Sequence, residues 1–424
     1  MIPSINPLVL NLKESATLSI NMAVKRQRND GREIFHFGFG QAAFPVPGLI
    51  QEALRSNAHR NMYLPTEGLP ELRQAVSDFY RKEFDVDFRP ADVYIGPGSK
   101  ELIFQTSYLL EGALLVPAPS WVSYGPQATI RGKRLFPIAT RRENGYKLSA
   151  RSLDRACHRL GQQQKMLILN NPNNPTGAVY GEDELKDIAQ ICRAYNVLVI
   201  SDEIYAMIDF TGERHASLSR FYPEGTIVSG GLSKSFAAGG YRLGVMLIPE
   251  ELRMVKDALR SIISETFSAV SAPVQYAALA AYGRFDEIRD EMERNNEIYR
   301  FASRYLWRRF IDMGLNCPRP DGAFYLFPDF ENHIKRLRRW DILTGIRLTE
   351  DLLKRKGVAM LPGSDFYFPA TNLGVRVAAV DFDGTEVRGH WPGADAMDED
   401  LTERLFPRLV RGCDRLAEYL DELD

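Results

Sequence analysis

The chain has 424 residues, of which 45% are apolar and 25% charged, with a formal net charge of -2. That length can bury a large core and suggests two or three domains, while the near-neutral charge gives no sign of a nucleic-acid or anionic-membrane surface. No apolar run approaches the roughly 20 residues that cross a bilayer, which excludes a simple membrane span.

The N-terminal residues lack the basic-then-apolar pattern of a signal peptide. The cysteines (Cys157, Cys192, Cys317, Cys413) show no CxxC pair and the six histidines are dispersed. A cytoplasmic protein with free thiols and no metal is expected.

From about residue 47 to residue 264, short apolar runs alternate with helical stretches. Strands are predicted at 92–95, 113–116, 134–137, 166–169, 197–200, 226–229 and 241–248, with helices that include 69–82, 100–111 and 182–195. This rhythm predicts a mostly parallel sheet covered on both faces. Phe285, Ile288, Met292, Tyr299, Ala302, Leu306 and Phe310 then recur at steps of three, four or seven, the period of a long helix leading into a second domain. That domain should hold strands at 323–327, 358–361 and 375–380, and a last helix carrying Leu401, Leu405, Leu409, Cys413, Leu416 and Leu420 on one face. The first forty residues are expected to fold back onto it. Segment 381–400, acidic and glycine-containing, lacks the carboxylate spacing of a calcium loop and reads as a surface loop or a flap over the site.

The chemistry concentrates where predicted strands end, the edge at which open α/β sheets bind ligands. Ser229-Gly-Gly-Leu-Ser233-Lys234 places a lysine among small residues, with Ser233 beside it and Arg242 eight residues on. Arginine grips phosphate with two parallel hydrogen bonds, and a lysine amine forms Schiff bases with aldehydes. Together they suit pyridoxal 5'-phosphate (PLP); a glycine-rich turn before a strand is the competing reading. Gly96-Pro-Gly98-Ser99-Lys100 opens a helix whose free amides can cradle a phosphate, although helix caps often look the same. Asp202 follows the run 197–200 and could keep a pyridine nitrogen protonated, or simply be a loop acid. Tyr205 and Asn174, the latter in Asn-Pro-Thr-Gly177, could hydrogen-bond the ring oxygen; a plain turn explains Asn174 equally. Trp121 could stack on a flat cofactor or merely pack in the core.

With these motifs in hand, the chain resembles the class I/II aminotransferases, fold-type I PLP enzymes similar to bacterial aspartate aminotransferases. The match runs in order through Gly40, the segment 63–73, the regions of Gly98, Trp121, Asn174, Asp202 and Lys234, then 320–327, 357–364 and 374–378. It implies an α/β fold with a mostly parallel seven-stranded sheet in a large domain (48–295) and a smaller α+β domain (1–47 and 296–424). It further implies that Lys234 carries the aldimine and moves the proton, that Asp202 pairs with the pyridinium, and that Trp121 stacks on the ring. Tyr205 and Asn174 would meet the ring oxygen. The phosphate would be held by Gly98, Ser99, Lys100, Ser233 and Arg242, with Tyr63 arriving from the second subunit of a homodimer with shared active sites. Arg376 would bind the substrate α-carboxylate, helped by Asn174 and the backbone at Gly40.

The sequence departs from the family pattern at Gly231, where many members carry serine, and after Gly40, where Gln-Ala-Ala-Phe44 replaces Glu-Pro-Asp. Segment 381–400 is also longer than expected. The implied activity is ping-pong transamination between an L-amino acid and a 2-oxo acid. Other PLP reactions use the same Lys, Asp and Arg: C–S or β/γ-lyase chemistry, cyclopropane formation as in ACC synthase, or amino-acid oxidation or hydroxylation. A regulator's ligand-sensing domain is a further alternative, disfavoured because the pattern begins near Phe35. No motif selects the substrate side chain, and Phe37, Phe39, Tyr124 and Phe236 suit either an apolar substrate or simple packing.

Overall fold

Among the described residues, twelve strands occur in chain order: β1 (Phe35–His36), β2 (Val93–Gly96), β3 (Ala113–Ala118), β4 (Leu135–Ala139), β5 (Lys165–Asn170), β6 (Val197–Asp202), β7 (Thr226–Gly231), β8 (Gly244–Leu247), β9 (Tyr325–Leu326), β10 (Val358–Ala359), β11 (Leu361–Pro362) and β12 (Val375–Ala378). They are seen in a computed structural model that describes residues 4–10 and 12–423; positions 1–3, 11 and 424 of the expected small domain lie outside the described residues.

β2 to β8 form one seven-stranded sheet in the order β2-β8-β7-β6-β5-β3-β4, with β8 antiparallel to both neighbours and the other pairs parallel. Its central strands are apolar on both faces because helices cover both; Leu167, Val199 and Val228 are fully buried. Each such side chain contributes about 1.5–3 kcal/mol of transfer free energy. Register aligns Asn170, Asp202 and Ser229 across β5, β6 and β7, and Gly96, Gly244 and Gly231 across β2, β8 and β7. The motif-bearing strand ends therefore share one edge. The expected strand 241–248 is shorter than its apolar pattern, because Gly239–Tyr241 forms a 3₁₀ turn and Arg242 is left-handed at φ 54.

A second core gathers β9 and β12, which with β11 form an antiparallel sheet in the order β11-β12-β9, and the parallel pair β1 and β10. The expected strand 358–361 is two strands in different sheets: Met360 separates β10, paired with β1, from β11, paired with β12. The long helix runs Arg289–Asp312 and buries Met292, Tyr299, Ala302, Leu306 and Phe310, while Phe285 begins a separate 3₁₀ turn. The expected last helix is broken into Glu399–Leu405 and Pro407–Asp421. Pro407 has no N–H to continue the first helix and instead begins the second.

Two further expectations change. The N-terminal part joins the second core through β1, and Arg28 pairs with Asp381, but the short helix Pro7–Leu10 lies against helix Tyr124–Ile130 of the large sheet instead. Segment 381–400 lies at the surface, in keeping with one of the two expectations, but it is partly helical and is not a flap over the site. It contains a helix, Gly384–Gly389, capped by Asp383, and is clipped to the long helix by Arg388–Glu291 and by Trp391 donating to Glu297 at 3.1 Å. None of its residues reaches the cavity described below. Among the described residues, no helix is long and apolar enough to cross a membrane.

Candidate active site

The carboxyl ends of β5, β6 and β7 open into a cavity of about 560 Å³. The structure brings Ser99, Lys100, Trp121, Asn174, Asp202, Tyr205, Ser233, Lys234, Arg242, Gly40 and Arg376 to its wall. Gly98 and Tyr63 are not among them: Gly98 packs against Arg242, and Tyr63 is 94% exposed.

One end of the cavity is cationic. Gly98 has φ +96 and its absent Cβ would lie 2.3 Å from Arg242 Nη2, so only glycine lets the guanidinium pack against this turn. Arg242 is anchored by donating to the carbonyls of Gly239 at 3.0 Å and Pro97 at 3.2 Å. Helix Ser99–Leu109 starts here; the Glu101 and Leu102 amides donate to the Gly98 carbonyl, and the earlier Ser99 and Lys100 amides have no helical carbonyl to bond. A Cβ at Gly231 would come within 2.8 Å of the Leu243 carbonyl. Close approach of β7 and β8 thus accounts for glycine where serine was expected.

The opposite end is anionic. Asp202 is 4% exposed; its Oδ2 accepts from Tyr124 Oη at 2.6 Å, while Oδ1 is buried without a partner. Burial pushes its pKa up to about 6, although the Tyr124 hydroxyl, the Ile204 amide and the Lys234 charge all oppose that rise. The orphaned oxygen and costly charge favour a buried cation opposite.

Between the two ends, Lys234 Nζ donates to the Gly40 carbonyl at 2.6 Å. Burial lowers its pKa to about 8, helped by the positive charges of Arg376, Arg242 and Lys100 and resisted by Asp202. Arg376 is 1% exposed, donates to the Gly38 carbonyl at 2.6 Å and to Asn174 Oδ1 at 3.3 Å, and keeps a buried, unpartnered Nε. Asn174 is itself positioned by its amide donating to Asn170 Oδ1 at 2.7 Å.

Sequence reading missed three polar contributors. Tyr124, expected either to suit an apolar substrate or to pack, instead holds Asp202 through its hydroxyl. Tyr325 meets Tyr205, hydroxyl to hydroxyl, at 3.0 Å. Asn170 ties the Asp202 carbonyl to Asn174. Only Asn170, first residue of its motif, carried a local signal. Of the aromatics expected to suit an apolar substrate, Phe37 and Phe236 are buried core and only Phe39 reaches the cavity wall.

An anion grip at one end, a reactive amine in the middle and an unsatisfied carboxylate at the other match the phosphate, aldehyde and pyridine nitrogen of PLP. Residues 33–386 match the family model for aminotransferase class I and II. A probable aspartate/prephenate aminotransferase of Aquifex aeolicus is 33% identical over 377 residues, covering 85% of this chain and 91% of that protein. Aspartate aminotransferase of Bacillus subtilis is 29% identical, covering 84% and 90%. The structure of Thermus thermophilus aspartate aminotransferase with maleate superposes with a TM-score of 0.84 at 28% identity, covering 98% of this chain and 100% of that one. The chain belongs to the class I and II aminotransferases. It is a PLP-dependent, fold-type I transaminase that exchanges amino groups between amino and 2-oxo acids by a ping-pong course.

Proposed function

We propose that this transaminase prefers a dicarboxylic amino donor of the aspartate type, and that Lys100 recognises the second carboxylate. The observation that carries the reading is the Lys100 ammonium, 5.1 Å above the Trp121 ring at the cavity wall. Arg242 is engaged beside Gly98 and Arg376 beside Asn174, so Lys100 is a third cation beyond those needed for a phosphate and an α-carboxylate. Partial desolvation, then the charge of Arg242, lowers its pKa. An anionic side chain seated against it relieves both penalties.

In this reading Ser99, Lys100 and Gly98 amides, Ser233 and Arg242 hold the phosphate, Trp121 covers the ring, and Asn174 and Tyr205 serve the ring oxygen. Bound there, the cofactor supplies an aldehyde that accepts the substrate nitrogen and a ring that withdraws electrons from Cα. Asp202 keeps the ring nitrogen protonated by opposing its charge. Arg376 and the backbone at Gly40 orient the α-carboxylate, and Lys234 Nζ takes the Cα proton as general base; with a pKa of about 8 it is partly unprotonated near neutrality. Ser15 and Thr17 line the same wall, where the N-terminal segment can exclude water.

The active unit is proposed to be a cytoplasmic homodimer with shared sites. Met62 and Tyr63 are 77% and 94% exposed side by side, an apolar pair suited to contact with a partner. All four cysteines are buried and unbridged, as suits a reducing compartment. The division into a large part (48–295) and a small part (1–47 with 296–424) belongs to the same proposal; one apolar cluster lies within 50–292, and a second gathers mostly residues of the small part, joined by Ile204, Tyr205, Ile208 and Phe210 of the large one.

The test mixes the holoenzyme with L-aspartate, L-alanine or L-phenylalanine and follows pyridoxamine phosphate formation in single turnover. Aspartate should react fastest. Lys100→Met should lower its kcat/KM by about 10–100-fold, the loss of one charged hydrogen bond, and leave alanine unchanged. Equal losses for both donors refute the role of Lys100, and ammonia without pyridoxamine phosphate refutes transamination.

A further inference from the structure

We infer that Tyr325 is a positioning residue that ties the substrate-carboxylate arginine to the tyrosine serving the cofactor's ring oxygen, an inference that rests on the roles proposed above for Arg376 and Tyr205. Tyr325 lies on β9, outside the large sheet, yet two of its surfaces are engaged in the cavity. Its ring supports Arg376, whose guanidinium carbon is 4.8 Å from the ring centroid. The register explains the contact: Tyr325 pairs with Ala378, and Arg376 is its diagonal neighbour on the same face of β12. Its hydroxyl is 3.0 Å from that of Tyr205, and the two rings meet edge-on at 5.7 Å and 84°.

The proton on Tyr325 has two acceptors. The Gly40 carbonyl is one, but at 3.5 Å it is distant, and it already accepts from Lys234 at 2.6 Å. The Tyr205 oxygen is the other and nearer one. When Tyr205 donates to a ring oxygen, its own oxygen is free to accept from Tyr325, and a donor in such a chain is strengthened by the bond it receives. The hydroxyl also fills the space beside Gly40: a Cβ there would lie 1.9 Å from it. One side chain thus sets the orientation of Arg376 through its face and the donor strength of Tyr205 through its tip. A phenylalanine at position 325 would supply only the first.

The test uses holoenzyme carrying Tyr325→Phe, Tyr325→Leu, Tyr205→Phe and the double variant Tyr205→Phe/Tyr325→Phe. Two readouts are taken: the pH midpoint of the bound cofactor's visible absorbance, and the dissociation constant for succinate. Losing a donor on the ring oxygen leaves that oxygen to hold the neighbouring nitrogen's proton more tightly, so Tyr205→Phe should raise the midpoint by about one pH unit. Tyr325→Phe should raise it by about 0.3 unit and add nothing in the double variant. Succinate affinity should be unchanged in Tyr325→Phe and fall about tenfold or more in Tyr325→Leu, which lacks the ring beneath the guanidinium. The inference is overturned if Tyr325→Phe leaves the midpoint in place, if its shift persists undiminished without the Tyr205 hydroxyl, or if both 325 variants weaken succinate equally. If Tyr205→Phe itself moves nothing, the proposed role of Tyr205 fails first and this inference falls with it.

Discussion

Tyr124→Phe isolates one hydroxyl at the acid end of the site. The tyrosine is fully buried and its ring packs edge-on against Trp121 at 5.3 Å, a contact that phenylalanine retains. What is lost is the 2.6 Å bond to Asp202 Oδ2. Asp202 already titrates at about 6 rather than 3.8. Its ionised form therefore costs the cofactor-free protein on the order of 3 kcal/mol above that pH. The sign follows from proton uptake. A carboxyl with a raised folded pKa binds more protons folded than unfolded between about 4 and 6, so stability falls as pH rises through that window. A hydrogen bond to a charged group is worth about 1.5–3 kcal/mol, so removing it should raise the pKa by a further one to two units, to about 7–8.

Denaturant unfolding of cofactor-free protein at pH 5 and pH 8 reads the effect. Tyr124→Phe should lose about 1.5 kcal/mol more stability at pH 8, where Asp202 is ionised, than at pH 5, where it is largely neutral. Asp202→Asn should remove the pH dependence of the difference. An equal loss at both pH values would refute the argument that the hydroxyl acts on the carboxylate charge.

Two further outcomes follow from the same geometry. Gly98→Ala should weaken cofactor binding by about 30–100-fold, a cost of about 2–3 kcal/mol for a strained backbone and a displaced Arg242, measured by titrating cofactor-free protein with PLP. Because burial and neighbouring cations hold Lys234 at about 8, the rate at which cofactor-free protein captures PLP should rise with pH and level off above about 8. A rise that continues towards 10 would show an ordinary, solvated lysine.

The sheet, the long helix and most of the site were legible in the amino-acid order because their signals are local. A buried parallel strand needs an unbroken apolar run, and each of Gly98, Asn174, Asp202 and Lys234 stands within a few residues of such a run's end, so chain order alone placed them on one edge. The break at Pro407 was equally local, but the apolar period of Leu401 to Leu420 continues across it and conceals it. Segment 381–400 had no periodicity; its order comes from Arg388, Trp391 and Ala394 meeting acids on a helix some hundred residues earlier.

The hydroxyls of Tyr124 and Tyr325 belong to the same class. Tyr124 lies 78 positions from Asp202, and Tyr325 lies 120 from Tyr205. Nothing in the flanking residues of either tyrosine distinguishes a ring that fills space from one whose oxygen touches a buried polar partner. Periodicity records which side of an element faces inward; which two inward-facing groups come within 3 Å is decided only when separate elements pack.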